Sequence, residues 1–345
     1  MHDIGQRKQD HLDLCSTDEV AFRERTNLLE CVQLVHQSLP ELALEDIDLG
    51  VELFGKRLRA PIIIASMTGG NEAAAEVNQA LSAIAEARGY GFGLGSQRAM
   101  QRSPESAWTY EVRSHAPTAL LLGNVGIVQA RDTPTDDVAK LVADVGADAL
   151  CLHMNPAQEM IQPGGDRNFR GCVEAFARFA KDLPVPVLAK ETGNGISRQV
   201  AGRLRQAGVS AIDVSGAGGT SWVGVETLRA EGRTRTMGEG LWDWGIPTAA
   251  AVAYAHQAGH RVIATGGMAR GLDIARAIAL GADAAGFARP VLMAYKAGGA
   301  EAATAFLEDV ERELATVMLL LGARRLQDLR TTPRVITGEL QDWLR

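Results

Sequence analysis

Eight short apolar runs, separated by alanine-rich segments of helical periodicity, constrain this chain's fold more than any other feature. They lie at 61–67, 91–95, 119–124, 147–152, 185–190, 211–214, 261–265 and 284–288. Apolar residues recur with helical spacing in 73–88, 138–145, 173–181, 197–206, 248–257 and 272–280. Strands that alternate with helices pair in parallel through right-handed crossovers. Eight such units predict an α/β fold closed as a (β/α)8 barrel, in preference to an open doubly wound sheet. Gly146, Gly208 and Gly281 each follow a predicted helix, where a left-handed residue commonly ends the last turn. The barrel is assigned to residues 56–345, with a further helix at 301–322 and a tail too apolar, at Trp343 and Leu344, to be free. Residues 1–55 read as an irregular, polar N-terminal extension with Leu/Val-rich pieces around 28–44.

Composition agrees with one large core. The chain has 345 residues, 46% hydrophobic, and its 37 glycines suit many tight strand–helix turns. A net charge of −7 argues against a bulk basic surface for nucleic acid, so an anionic ligand needs a local basic cluster. The N-terminus has no apolar signal core and no run approaches a membrane span, so a cytoplasmic protein without a membrane partner is expected. Cys15, Cys31, Cys151 and Cys172 show no CxxC spacing and read as reduced thiols, with Cys151 inside the fourth strand as core.

In a (β/α)8 barrel the site is built from loops at the C-terminal ends of the strands. Here every one of those ends carries polar residues or glycine. In order they are Ser66-Met67-Thr68-Gly69-Gly70, Ser96-Gln97-Arg98, Asn124-Val125-Gly126, the segment from His153 to Asp166, Lys190-Glu191-Thr192-Gly193, Ser215 to Trp222, Gly266-Gly267-Met268 and Ala288-Arg289-Pro290. The fourth is the richest. It offers the His153 imidazole, the carboxamides of Asn155, Gln158 and Gln162, and the Glu159 carboxylate. That donor set suits a polar substrate and a hard metal ion. The loops after strands seven and eight are the usual phosphate grip of this fold, so Gly266, Gly267, Ala288 and Arg289 are read as a phosphate site. Lys190 is a Schiff-base nucleophile, a charge beside a cofactor ring, or a snorkelling lysine on the rim. Arg7, Lys8 and His11 form a basic group that a diphosphate could order over the barrel mouth.

Taken together, these motifs resemble the type 2, flavin-dependent isopentenyl-diphosphate isomerases. The resemblance rests on Arg7-Lys8-x-x-His11, Met67-Thr68-Gly69-Gly70, Gly95-Ser96-Gln97-Arg98, Asn124-Val125-Gly126, His153-x-Asn155-x-x-Gln158-Glu159 and Lys190-Glu191-x-Gly193-x-Gly195. It continues through Asp213 to Trp222, Trp244-Gly245-Ile246-Pro247-Thr248 and Gly266-Gly267. It implies interconversion of isopentenyl and dimethylallyl diphosphate, with FMN in its reduced state, Mg2+, and NAD(P)H as reductant. By the family pattern FMN is held by Ser66, Met67, Thr68, Ser96, Asn124, Lys190, Ser215, Thr220, Gly266, Gly267, Ala288 and Arg289. Substrate falls to Arg7, Lys8, His11, Ser96, Arg98, His153, Asn155 and Gln158, and Mg2+ to Glu159. Catalytic roles are assigned to Gln158, His153 and Lys190. Gln158 orients or relays, and Lys190 stabilises negative charge on reduced flavin, with proton transfer assigned to the flavin itself. Glu239 and Trp222 are secondary candidates for flavin contact and cation shielding. The resemblance also implies a homo-oligomer, tetramer or octamer. Three rivals are weighed. A flavin-dependent 2-hydroxy-acid oxidoreductase wants a histidine after strand six or seven, and neither loop has one. A nucleotide dehydrogenase wants a loop cysteine after strand six, which is absent. A non-catalytic FMN-binding protein leaves Arg7, Lys8 and Glu159 without a task.

Overall fold

A computed structural model of the chain describes residues 4–345, and the side chains of residues 4–7 and 9 lie outside what is described. Eight parallel strands close into a barrel. They are β1 (Ile62–Ile64), β2 (Gly91–Gly93), β3 (Leu120–Gly126), β4 (Ala149–Met154), β5 (Val187–Glu191), β6 (Ala211–Asp213), β7 (Arg261–Thr265) and β8 (Ala284–Phe287). All eight fall on the apolar runs of the sequence, with ends displaced by three residues or fewer. Gly146, Gly208 and Gly281 have φ of 63°, 79° and 116°, so the chain does turn on glycine before β4, β6 and β8.

Four helices matter for the site: α1 (Ile4–Cys15), α2 (Pro156–Ile161), α3 (Trp222–Arg229) and α4 (Arg289–Leu320). The first is a departure from the sequence reading, which left this region irregular. Its polar face carries Lys8, Asp10 and His11, and its helicity is supported by tertiary contacts more than by an apolar stripe. The further helix expected at 301–322 is the second half of α4, which kinks at Gly298 and Gly299. The tail packs on the barrel. Arg334–Ile336 pairs antiparallel with Val32–Leu34, and Trp343 and Leu344 lie against the main core.

Strand alternation divides the core in two. Ile62, Ile64, Leu121, Leu150, Leu152, Ala189, Ile212, Val262, Ala264 and Phe287 face the surrounding helices. Their neighbours Ile63, Leu120, Leu122, Ala149, Cys151, Leu188, Ala211, Ile263 and Ala284 fill the barrel interior. Leu53 and Leu58, from the hairpin Val51–Leu53/Lys56–Leu58, close the bottom of that inner layer. Cys151 is therefore core, as expected, and burial pushes its thiol up to about 12.

The same period of two builds the site. One step further along each strand, the inward positions after the apolar layer are Ala65, Gly95, Asn124, His153, Lys190, Asp213, Thr265 and Gly286. Side chains change there from bulky hydrocarbon to polar or small, and the packed interior gives way to a cavity.

Candidate active site

The barrel mouth opens into a cavity of about 330 Å³. Every residue assigned to cofactor, substrate or metal from the sequence lines it, except the secondary candidate Glu239, and Arg7, whose side chain lies outside the described residues. All eight strand ends contribute, and α1 lies over the opening with Lys8, His11, Leu12 and Cys15 in its wall.

Three loops form the glycine-rich part of the cavity wall. Gly266 and Gly267 have φ of 107° and 73°, left-handed backbone that favours glycine. A Cβ on Gly266 would sit 2.2 Å from the Gly216 carbonyl, so these two turns are packed backbone to backbone. Thr248 Oγ1 ties them by donating to the Gly266 carbonyl at 2.7 Å. Ala288, Arg289 and Pro290 bring the first turn of α4 to the same wall. A helix start, with its unpaired amides, beside a glycine turn is suited to a phosphate group. The Arg289 guanidinium is already engaged: it donates to Asp18 Oδ1 at 2.8 Å and to the Thr17 carbonyl at 3.0 Å. Ser66, Met67, Thr68, Ser96, Asn124, Ser215 and Thr220 complete this side. A wall of mixed polar and apolar residues with a glycine-rich end fits FMN.

Lys190 settles into the layer of inward polar groups. Its Nζ donates to Asp213 Oδ2 at 3.0 Å, and the two residues are register partners on β5 and β6. Their side chains are 7% and 6% exposed. A buried pair held this way keeps a positive charge at a fixed place beside the cofactor wall. Next to Lys190, burial pushes the Glu191 carboxyl up to about 8, against the pull of the Asn194 and Thr192 amides.

Next in the cavity wall, His153 pairs in register with Lys190 across β4 and β5. Burial, then the charges of Lys190 and Arg98, push its imidazole down to about 4, so it is neutral at pH 7. Its Nδ1 lies 2.8 Å from Asn124 Oδ1, and Asn124 Nδ2 donates to the Leu94 carbonyl at 3.1 Å. Asn124 is thus oriented as acceptor, the proton of the neutral ring sits on Nδ1, and Nε2 is left with its lone pair.

Asn155, Gln158 and Glu159 lie on or beside the first turns of α2. Pro156 at the helix start removes a donor that would be unpaired there anyway. Glu159 Oε1 accepts from Asn155 Nδ2 at 2.9 Å, and Oε2 accepts from the Asp166 amide at 2.7 Å. The Pro163-Gly164-Gly165 turn brings that amide round. Arg98 lies 3.9 Å from the Asp166 carboxylate. Among the described residues no three His, Cys, Asp or Glu side chains converge as a ready metal cage. Glu159 would offer Mg2+ a single carboxylate, which a mostly hydrated ion accepts.

Two acidic residues here were missed by sequence reasoning. Glu226, on α3, is fully buried. It meets His11 Nε2 at 2.9 Å, Gln158 Nε2 at 3.4 Å and Arg229 Nη1 at 2.7 Å. Burial would raise its carboxyl; the hydrogen bond from His11 and the charges of His11 and Arg229 more than reverse this and hold it below the usual carboxylate range. A glutamate on the apolar stripe Val223–Val225–Glu226 was the available signal. Asp213 was noticed only as part of a motif, although an acid at the end of a buried strand calls for a cation. Glu239 departs from expectation: it does not reach the cavity, because Gly232–Gly240 runs outside it and Arg23 binds the carboxylate at 2.6 Å. Trp222 does line the cavity, edge-on to the His11 ring at 5.1 Å.

Known proteins agree with this geometry. The FMN-dependent dehydrogenase family model matches residues 2–157 and 152–336. In solved structures the fold recurs at 18% identity. A mandelate oxidase variant aligns over 94% of this chain and 95% of its own with a TM-score of 0.65, and a flavocytochrome b2 variant over 96% and 83% with a TM-score of 0.69. Relatives in sequence are closer. An isopentenyl-diphosphate delta-isomerase of Methanothermobacter thermautotrophicus is 43% identical over 343 residues, 99% of this chain and 96% of that protein. One from Nostoc is 45% identical over 329 residues, 94% of this chain and 93% of its own. On its barrel, its FMN-type cavity and these relatives, the chain belongs to the FMN-dependent dehydrogenase family and, within it, to the isopentenyl-diphosphate delta-isomerases.

Proposed function

We propose that this protein interconverts isopentenyl and dimethylallyl diphosphate, with FMN in the barrel mouth, Mg2+ on the diphosphate and NAD(P)H as the source of electrons that reduce the flavin. The observation that carries this reading is the composition of one cavity. A glycine-rich wall with Lys190 and a second cluster of Lys8, His11, Arg98, His153, Asn155, Gln158 and Glu159 line the same cavity. A flavin accounts for the first set alone. The second needs a further ligand that is anionic, and the single carboxylate suits a diphosphate–Mg2+ pair.

Reduced FMN bound there supplies the acid and base for moving the two protons. The chain's own residues position and shield. Lys8 and Arg98 neutralise diphosphate charge, and Glu159 holds the metal through one carboxylate. His153 enters the complex neutral. The diphosphate raises its proton affinity, so that Nε2 gains a proton and can donate to a phosphate oxygen while Nδ1 stays on Asn124. Gln158 does not titrate, and Glu226 fixes its carboxamide by accepting from Nε2. Trp222 offers a π face to a developing cation, and α1 excludes water from it. The enzyme acts as a homo-oligomer, for which exposed Trp108 and Trp244, 53% and 63% accessible, offer apolar surface.

The test is turnover. Purified holoenzyme should be yellow, bleach on anaerobic reduction, and isomerise isopentenyl diphosphate with Mg2+ while consuming no stoichiometric NADPH. Steady electron transfer from a 2-hydroxy acid, with no isomerisation, would replace this reading with the oxidoreductase one.

A further inference from the structure

Tyr110 belongs to no part of the proposed chemistry, yet it makes an unusual set of contacts. It ends the short 3-10 turn Pro104–Tyr110 between β2 and β3, and its side chain is fully buried. Its hydroxyl donates to the Ser96 carbonyl at 2.7 Å and accepts from Lys8 Nζ at 2.8 Å. Lys8 Nζ also reaches the Ser96 carbonyl at 3.3 Å and lies 5.3 Å from the centre of the tyrosine ring.

Two glycines after β1 make room for this arrangement. A Cβ on Gly69 would fall 2.2 Å from Tyr110 Cε1, and one on Gly70 would fall 3.0 Å from Lys8 Nζ. Gly70 has a φ of 93°, and its amide donates to Thr109 Oγ1 at 2.9 Å. Asn78 Nδ2 donates to the carbonyls of Thr68 and Thr109 at 3.3 Å and 3.2 Å. The β1 loop and the Tyr110 turn are therefore bound to each other. Burial pushes the Tyr110 hydroxyl up, so it stays protonated and can donate and accept at once.

We propose that Tyr110 is a positioning residue that holds the Lys8 ammonium over the cavity and so presets α1 for the diphosphate. The inference rests on the isomerase reading for its ligand and on geometry alone for its anchor. Lysine has a long, flexible stem and a point charge. Left free, it loses rotamer freedom each time it closes on an anion. Held by a hydroxyl and a carbonyl from the barrel wall, much of that ordering is complete before ligand arrives. Ring packing against Gly69 would survive in phenylalanine, so Tyr110→Phe removes the Lys8 anchor together with the hydroxyl's bond to the Ser96 carbonyl, which Lys8 Nζ still reaches.

The experiment is a double-mutant cycle of Tyr110→Phe and Lys8→Met in the FMN-loaded enzyme. Tyr110→Phe should raise KM for isopentenyl diphosphate about tenfold, leave kcat within about twofold and leave FMN content unchanged. In the Lys8→Met background the same change should add nothing. An unchanged KM, or a full additive penalty without Lys8, overturns the proposal. A second readout needs no turnover and no folded Tyr110→Phe. In ligand-free protein, chymotryptic cleavage within α1 after Leu12 or Leu14 should be several-fold faster in Lys8→Met than in wild type. Equal rates overturn the anchor. If wild-type enzyme does not isomerise, the functional reading fails while this comparison still decides the anchor.

Discussion

Lys190 and Asp213 meet at the floor of the cavity, Nζ 3.0 Å from Oδ2, on neighbouring strands in paired register and almost sealed from water. The two ends of that bond have different tasks. Lys190 lines the cavity, whereas Asp213 lies behind it and holds the ammonium in place. Lys190→Met should strand the Asp213 charge and destabilise the protein by about 3–5 kcal/mol, the range for breaking one side of a buried pair. Adding Asp213→Asn should return most of that stability but not the function, leaving reduced flavin without its positive neighbour. Thermal melting and the flavin reduction potential separate the two effects. If the double variant restores a wild-type potential, the electrostatic role of Lys190 is wrong.

Glu226 is the second buried acid, and it joins α1 to α2 through His11 and Gln158. Replacing Glu226 by Gln should lower turnover about 30-fold, the scale of one lost charge-assisted hydrogen bond of roughly 2 kcal/mol. Its carboxyl is held below the usual range by the balance that His11 and Arg229 tip. The stabilisation is therefore complete above the normal carboxylate pKa and is lost as pH falls through the lowered one. Wild type should hold α1 closed down to the usual carboxylate range and loosen only below it, and Glu226→Gln should abolish that acid-side transition. Protease sensitivity of α1 against pH measures it.

These two acids mark the limit of what could be read beforehand. The barrel was legible because β1–β8 are short apolar runs whose length and spacing admit few alternatives. Ser66, Asn124, Lys190, Gly266 and the others were legible because a strand end in this fold is a place for chemistry. Glu226 was not, because it lies within a helix among valines, and only folding brings it under His11, some 215 residues away in the chain. The helix of residues 4–15 was missed for a related reason. Its order comes from Lys8 on Tyr110, His11 on Glu226 and Asp10 on Arg229, contacts that no local pattern contains.

His153 gives a pH prediction with the opposite origin. Its proton affinity is lowered, to about 4, by burial and by Lys190 and Arg98. Between about 4 and the unfolded value near 6.5 the unfolded chain binds a proton that the folded chain refuses. Stability from this group therefore falls as pH drops through that window. Melting curves of wild type minus His153→Gln, taken without ligand, should show this slope from pH 6.5 to 4. Saturating inorganic pyrophosphate with Mg2+ should reduce it, since the anion favours the protonated ring. A difference curve that is flat in the absence of ligand would mean that the ring ionises normally.

Gly266 tests the phosphate wall. A methyl group there would lie 2.2 Å from the Gly216 carbonyl, on backbone with a φ of 107°. Gly266→Ala should force the two turns apart and release FMN, with a dissociation constant raised at least about 100-fold and the barrel still folded. Retention of wild-type affinity would place the phosphate elsewhere.

Proton movement on a diphosphate without net electron transfer is the central property proposed for this cavity. Incubating the reduced holoenzyme with isopentenyl diphosphate and Mg2+ in D2O tests it most directly. Deuterium should enter both the recovered substrate and dimethylallyl diphosphate, with no NADPH consumed beyond that needed to reduce the flavin. Substrate recovered without deuterium and without isomer, from enzyme that carries reduced FMN, would contradict it.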